Sequence, residues 1–296
     1  MHANRTSVVI PTTGRSSLAR AVSSVSEQTV SAEVVVVVDE HERYGAVKEQ
    51  LRDFDCRVLA TPGNMGGAYA RNLGAAQSDS DFVAFLDDDD WWERDKLESQ
   101  FREMEHVDPS ENVLSATGMT FHRARGCKRI PDIVLSSPTQ AADYLVQRPR
   151  LRFGTHAIQT SSLLISRSMF DEIKWSESLH KHQDWDFVAR VLSVPGVRFV
   201  WVDRPLVHVA QGSSNSISRT ANWRASHQFL VEHRHRLSKT AQADFIFTHI
   251  LRSALASRDL EGVRTALREN GPRLPHIAAA IVGMSGAVDG LRLRSL

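Results

Sequence analysis

Four consecutive carboxylates, Asp87-Asp88-Asp89-Asp90, directly follow the apolar run Phe82–Leu86 and directly precede Trp91 and Trp92. Adjacent carboxylates repel, and burial between a strand end and two indoles deepens the conflict. A divalent cation resolves it, because Mg²⁺ or Mn²⁺ takes a few carboxylate oxygens and completes its shell with substrate phosphates. The competing reading is a solvated turn in which one Asp caps a helix beginning near Glu93, but a cap needs one carboxylate and not four. A second acidic group, Gln183-Asp184-Trp185-Asp186, precedes Phe187, Val188, Val191 and Leu192, which are spaced to face a core. A carboxylate in the first turn of a helix is held ionised by the helix dipole. The bland alternative makes Asp184 a simple cap. His208, alone in an apolar run, is either a third metal ligand or diphosphate contact, or a satisfied structural imidazole.

The elements that must position these groups are legible upstream. Ser7–Ile10 is β-branched, and Leu18, Ala19, Ala21, Val22 and Val25 follow it at helical spacing. Val34–Val38 is five valines in succession, the pattern of a strand buried on both faces in a parallel sheet. A helix through Val47 and Leu51, a strand at Arg57–Ala60, an Ala-rich helix over Gly66–Ala76 and the strand Phe82–Leu86 complete a βαβαβαβ series. That order predicts right-handed crossovers and a doubly wound sheet, with ligands at the carboxyl ends of its strands. Pro11–Arg15, Asp39–Glu40, Asn64–Asn72 and the acidic tetrad therefore fall at one edge. Neither GxGxxG after the first strand nor GxxxxGK[ST] anywhere is present, so ordinary dinucleotide and P-loop sites are poorly supported.

Further along, Val113–Phe121, Thr160–Ser166, Val197–Val202 and Leu206–Val209 read as strands, and Pro138–Gln147 and Gln183–Leu192 as helices. Gly212–Ser218 is polar and reads as a loop, and Ser213–Arg219 is either a lid that folds over a ligand, with Arg219 meeting phosphates, or a surface linker. Beyond it the pattern is helical. The expected division is a sheet domain over 1–212 and a helical region over 213–296, the latter serving acceptor binding or a homodimer.

The 296 residues carry 36 Lys and Arg against 35 Asp and Glu, a net charge of +1, which argues against an electrostatic nucleic-acid binder. That sum conceals two unlike parts: residues 211–296 hold twelve basic and six acidic residues, or +6, and the remainder is −5. Cys56 and Cys127 form no CxxC pattern, so a reducing cytoplasm is expected, with peripheral membrane association as an extension. No leader and no transmembrane stretch is expected. Ile277–Val288, the most membrane-like segment, is short, broken by Gly283 and Gly286, and reads as a packed helix.

Taken together, the motifs resemble a family 2 glycosyltransferase of the GT-A fold. The resemblance rests on Val8-Val9-Ile10-Pro11-Thr12 with Arg15, Val37-Val38-Asp39, Asn64 to Gly74, Phe85 to Trp91 with Lys96-Leu97, and Gln183 to Asp186, covering about residues 6–210. It implies a Rossmann-like, mostly parallel α/β sheet and inverting transfer from a nucleotide-diphosphate sugar to an acceptor the sequence does not name. By that match Pro11, Thr12 and Asp39 face the base, with Arg15 close by. A carboxylate at Asp39 accepts the imide N–H of uracil or thymine, which favours UDP or dTDP. Asn64, Gly67 and Arg71 approach the nucleotide-sugar, Asp87 meets ribose or sugar, and Asp88 fills the motif's variable place. Asp89 is the principal ligand of Mn²⁺ or Mg²⁺, aided by His208, and Asp90 supports from behind or caps a helix. Asp184 is the general base, with Gln183 replacing the family's first acid, and His180 and His182 shape the acceptor pocket. Nucleotidyl transfer and a non-catalytic nucleotide-sugar-binding subunit are the alternatives.

Overall fold

The computed structural model describes residues 5–108, 110–123, 126–152, 154–210 and 221–292. The chain forms two compact units. The first comprises residues 1–131, 158–177 and 187–212, and the second 132–157, 178–186 and 213–296. The second unit thus gathers, with the C-terminal helices, two segments lying earlier in sequence.

The first unit is built on one nine-stranded sheet. Strands β1 (Thr6–Thr12), β2 (Glu33–Val38), β3 (Arg57–Ala60) and β4 (Phe82–Phe85) pair in parallel in the order β3-β2-β1-β4. Helices α1 (Leu18–Ser26), α2 (Tyr44–Gln50) and α3 (Gly67–Ala76) make the crossovers. Val34 to Val38 are all buried, as a strand covered on both faces requires. The α3 helix lies so close that a Cβ on Gly74 would stand 2.4 Å from a methyl of Val9 and 2.9 Å from one of Val37. Only glycine permits that approach.

Beyond β4 the sheet turns mixed, running β8 (Leu164–Ser166), β6 (Val113–Arg123), β9 (Arg198–Ala210) and β5 (Trp91–Trp92), with β7 (Gly126–Ile130) hairpinned onto β6. Several boundaries differ from the sequence expectation. Trp91 and Trp92 do not lead into a helix at Glu93; they pair as β5 with His208 and Val207, and helix α4 (Lys96–Glu103) begins later. The two strands expected over 197–209 are one, β9, whose register shifts opposite Gly118. Of Thr160–Ser166 only the last three residues are strand, because Thr160–Ser162 is a 3-10 turn. Helix α6 (Arg167–Glu172) follows at once, and helix α7 (Gln183–Val191) has its first turn in the second unit and its remainder in the first.

The second unit is helical, with α5 (Ala141–Val146), α8 (Trp223–His233), α9 (Lys239–Phe245), α10 (Arg252–Ser257), α11 (Leu260–Asn270) and α12 (Ile277–Arg292). Between α9 and α10 the backbone stays helical through a π segment, Ile246–Leu251. Side-chain caps at Asn222, Ser238 and Asp259 accept the N–H groups of Ala225, Ala241 and Gly262, which sets where α8, α9 and α11 start. The expected lid over Gly212–Arg219 lies outside the described residues.

Candidate active site

The acidic tetrad caps the carboxyl end of β4, and two of its carboxylates share one partner. Asp87 accepts from the Arg71 guanidinium at 2.6 Å. Asp88 accepts from the Thr12 hydroxyl at 2.6 Å and from Arg15 Nη1 at 3.0 Å. The same Arg15 nitrogen donates to Asp89 at 2.8 Å. Asp90 accepts from the Ser161 hydroxyl at 2.6 Å and from the Ala210 amide at 3.1 Å. Burial pushes the Asp88 carboxyl up to about 6, and raises Asp89 and Asp90 as well, with neighbouring carboxylates adding to the effect. A single guanidinium nitrogen between two carboxylates is therefore an incomplete answer to their repulsion.

Around this cluster stand the loops named from sequence. Pro11 and Thr12 end β1, where the Thr12 hydroxyl also accepts the Gly14 amide at 2.9 Å. Asp39 follows β2, and its carboxylate accepts the amides of Met65 and Gly66 at 2.8 and 2.9 Å and the Thr61 hydroxyl at 2.8 Å. Asp39 thus shapes the Asn64–Gly67 turn, in which Asn64 and Gly66 take left-handed φ of 52° and 90°. A carboxylate has about four acceptor positions, so these three bonds leave capacity for one more donor. Arg71 lies over Trp175 at 4.9 Å, and Asn72 holds that tryptophan by exchanging hydrogen bonds with its amide and carbonyl. The Arg71-Asn72 pair fixes the wall behind Asp87.

His208 sits on β9 beside Trp91, stacked on its indole with centroids 4.9 Å apart. Both imidazole nitrogens are engaged: Nδ1 with His122 Nε2 at 2.8 Å and Nε2 with Glu93 at 2.7 Å. A hydrogen-bonded line Cys127–His122–His208–Glu93 results, with Cys127 Sγ 3.1 Å from His122 Nδ1. Sequence reasoning missed His122, Glu93 and Ser161, because register between distant strands and a 3-10 turn brings them in. Ser161 both accepts the Asp87 amide at 3.1 Å and donates to Asp90, so it ties the two ends of the tetrad together.

In the second unit, Asp184 lies in the first turn of α7 and accepts the Trp185 amide at 3.0 Å. The residues two positions before and after it are gripped by α8. His182 Nε2 meets the Ser226 hydroxyl at 3.0 Å, and Asp186 pairs with His233 Nε2 at 2.9 Å with both side chains 2 % exposed. Ser226 and His233 are seven residues, two turns, apart and so share one helix face. His182 itself has φ of 60° and accepts the Asp186 amide through its carbonyl, so the chain bends into the helix there. Its ring stacks on Trp185 at 4.8 Å and meets Phe245 and His249 edge-on at 5.2 and 4.9 Å. Desolvation drives the His182 imidazole well below its ordinary range and that of His249 down to about 3, so this histidine pair is neutral. His182 is thus packing as much as pocket wall, while His180 is exposed. Among the described residues, the three groups whose ligand atoms all fall within 4.8 Å of one another are Asp186, Glu232 and His233. The tetrad oxygens do not meet that condition.

A doubly wound sheet with buried carboxylates, a base-side Asp and a glycine-turn helix at its carboxyl edge defines a nucleotide-binding α/β enzyme. Comparison with known proteins narrows the class. Residues 7–173, more than half of the chain, match the model of glycosyl transferase family 2, and the chain belongs to that family. An uncharacterized glycosyltransferase of Haemophilus influenzae is 26% identical over 77% of this chain and 76% of its own length. The amylovoran biosynthesis glycosyltransferase AmsB of Erwinia amylovora is 28% identical over 62% of this chain and 58% of its own. Among solved structures, S. aureus TarS 1–349 in complex with UDP-GlcNAc superposes with a TM-score of 0.65 at 16% identity, covering 97% of this chain and 88% of that one. The mannosyltransferase PcManGT of Pyrobaculum calidifontis, in complex with GDP-Man and Mn²⁺, gives 0.54 at 14% identity over 100% of this chain and 77% of that one. The protein is a glycosyltransferase with the GT-A fold, which sets aside nucleotidyl transfer and a non-catalytic role.

Proposed function

We propose that the protein moves a sugar from UDP or dTDP to an acceptor hydroxyl or equivalent nucleophile with inversion at the anomeric carbon, in a reaction that depends on Mn²⁺ or Mg²⁺. The observation that carries the reading is the Asp88–Arg15–Asp89 bridge, two partly or wholly buried carboxylates converging on one cationic nitrogen at 3.0 and 2.8 Å. All-oxygen donors of this kind suit a hard divalent cation, so the residues present fit one. Asp89 would be its principal ligand, with Asp87 and Asp88 beside it; His208 is set aside, because both of its ring nitrogens are taken up by His122 and Glu93. When bound, the cation would neutralise the departing diphosphate.

The chain's own residues supply the rest. Asp39 keeps an acceptor position for the imide N–H of a uracil or thymine base, and Pro11 and Thr12 wall that base. Gly67 and the amino end of α3 offer backbone amides to the anion, and Arg71 and Asp87 orient the sugar. Asp184 accepts the proton of the acceptor as its oxygen attacks the anomeric carbon. The bond to the diphosphate breaks with its electron pair leaving on the nucleotide. UDP as carrier is supported by the TarS complex with UDP-GlcNAc, whereas the PcManGT complex holds GDP-Man, so the fold alone does not choose the base. Thermal shift with UDP, dTDP and GDP, each with and without Mn²⁺, tests the proposal. Stabilisation that needs both the metal and a uracil or thymine nucleotide is expected. Stabilisation by GDP alone would overturn the Asp39 assignment, and metal-independent shifts would overturn the cation.

A further inference from the structure

Helix α12 buries its small residues and exposes its large ones. Ala279 is fully buried, a Cβ on Gly283 would stand 2.8 Å from the Phe247 carbonyl, and one on Gly286 would stand 2.2 Å from that of Arg252. The face packed on the π segment and α10 is therefore a stripe of Ala and Gly. On the opposite face Ile277 is 80% exposed, Ile281 50%, Met284 57% and Val288 50%. Their spacing of four, three and four residues keeps them within one narrow arc of the helix. Leu274, 82% exposed, continues the line before the first turn. Burial of apolar surface is the main driving force of folding, so a helix that packs its small side and frees its large side leaves about that much stabilisation for something else. The exposed line amounts to roughly 500 Å² of apolar surface, the size of the largest patch on a typical monomer, which is often functional.

A second feature stands at the head of this line. A cleft of about 420 Å³ is lined by Lys239, Thr240, Pro272, Arg273 and Leu274. It joins two cations to the first residue of the apolar stripe, an arrangement suited to a phosphate headgroup beside acyl chains. We propose that the outward face of α12, from Leu274 to Val288, docks in the interface of an anionic phospholipid bilayer, with Lys239 and Arg273 against the headgroups. The helix has 16 residues, short of the ~20 that span a bilayer, so it lies in the surface plane. No described helix is long and apolar enough to cross a membrane. A second copy fits this face less well. The stripe falls short of the ~800 Å² that each partner of a specific dimer buries. Self-pairing would also bring Lys239 and Arg273 of both copies together, whereas an anionic surface complements them.

Co-sedimentation of the full chain with phosphatidylcholine vesicles, with and without 30 mol% phosphatidylglycerol, tests the inference. Binding to the anionic vesicles is expected, with at least a tenfold loss in the Ile281→Asp, Met284→Asp double variant. Both positions are exposed, so the thermal melt of that variant should match the wild type. Lys239→Glu should weaken binding severalfold and flatten its dependence on salt. Absence of binding to anionic vesicles, or equal binding by the double variant, would overturn the proposal. So would a wild-type dimer in light scattering that becomes monomeric in the double variant, since the face would then belong to a second copy.

Discussion

The two units treat their buried ionisable groups in opposite ways. At the sheet edge of the first unit, three of four adjacent carboxylates are raised by burial and mutual repulsion, and one arginine nitrogen is shared between two of them. In the second unit the acid at Asp186 has a dedicated imidazole, and the histidines His182 and His249 are simply neutral among aromatic rings. One region holds unsettled charge, which a cationic ligand can settle. The other holds settled charge, which keeps a turn in shape. A cluster meant only for stability would not be left as the first is, because a buried carboxylate without full compensation costs free energy.

If Asp184 is the group that the settled region exists to hold, its removal should give the largest effect. Asp184→Asn should lower kcat by about 10³-fold while nucleotide affinity stays within about twofold, since general-base contributions run to 10²–10⁴. Thermal shift with nucleotide and Mn²⁺ separates the two quantities. Loss of nucleotide binding with turnover would dissolve the contrast between a chemical and a binding region.

The clamp around that residue comes next. His233→Ala takes the imidazole away from the buried Asp186 carboxylate, which should cost about 3 kcal/mol of stability. Because His233 acts through Asp186, the same variant should reduce kcat by about tenfold with little change in donor KM, and His233→Gln should recover part of both. A change in stability alone, measured by denaturant melts beside kinetics, would reduce the clamp to packing. At the sheet edge, Asp89→Asn should cost about 10²-fold in turnover and shift the Mn²⁺ dependence to higher concentration. It should scarcely lower the melting temperature, because it removes a repelling charge.

Much of this arrangement was readable in the sequence, and the limits follow from what a sequence pattern encodes. Five valines in a row and a regular strand-helix alternation specify a parallel sheet, so the edge carrying Pro11, Asp39 and the tetrad could be placed before any coordinates. The local pattern could not show that Trp91 and Trp92 pair with Val207 and His208, since that register spans more than a hundred residues. Ser161 was hidden for the same reason, and a polar residue in a 3-10 turn carries no periodic signal. Asp39 was expected to face a base, yet its bonds to Met65 and Gly66 also make it the organiser of a turn, a role set by φ values and not by residue type. Ile277–Val288 was read as packed. It packs through its small face, because a hydrophobic count weighs Ile and Ala without saying which side the neighbour takes.

The smallest effect sharpens the comparison most, since it opposes the two regions in one experiment. The Asp88 carboxyl is raised from 3.8 to about 6, so between those values the folded chain holds a proton that the unfolded chain has released. Stability from this group therefore falls as pH climbs through that window, and its cost, on the order of 3 kcal/mol, is complete above about pH 6. His249 is lowered from 6.5 to about 3, so the unfolded chain takes up its proton first and stability falls as pH drops below 6.5. The slopes have opposite signs and partly cancel in the metal-free wild type. Asp88→Asn should raise the metal-free melting temperature at pH 7.5 by about 5 °C and steepen the decline toward acid. His249→Phe should shift the slope the other way, so that less stability is lost between about pH 6 and pH 4, with His182 still contributing a loss of the same sign as His249. Melting curves of the three proteins across pH 4–8 measure this, and identical pH profiles would mean that the unsettled and settled regions are not energetically distinct.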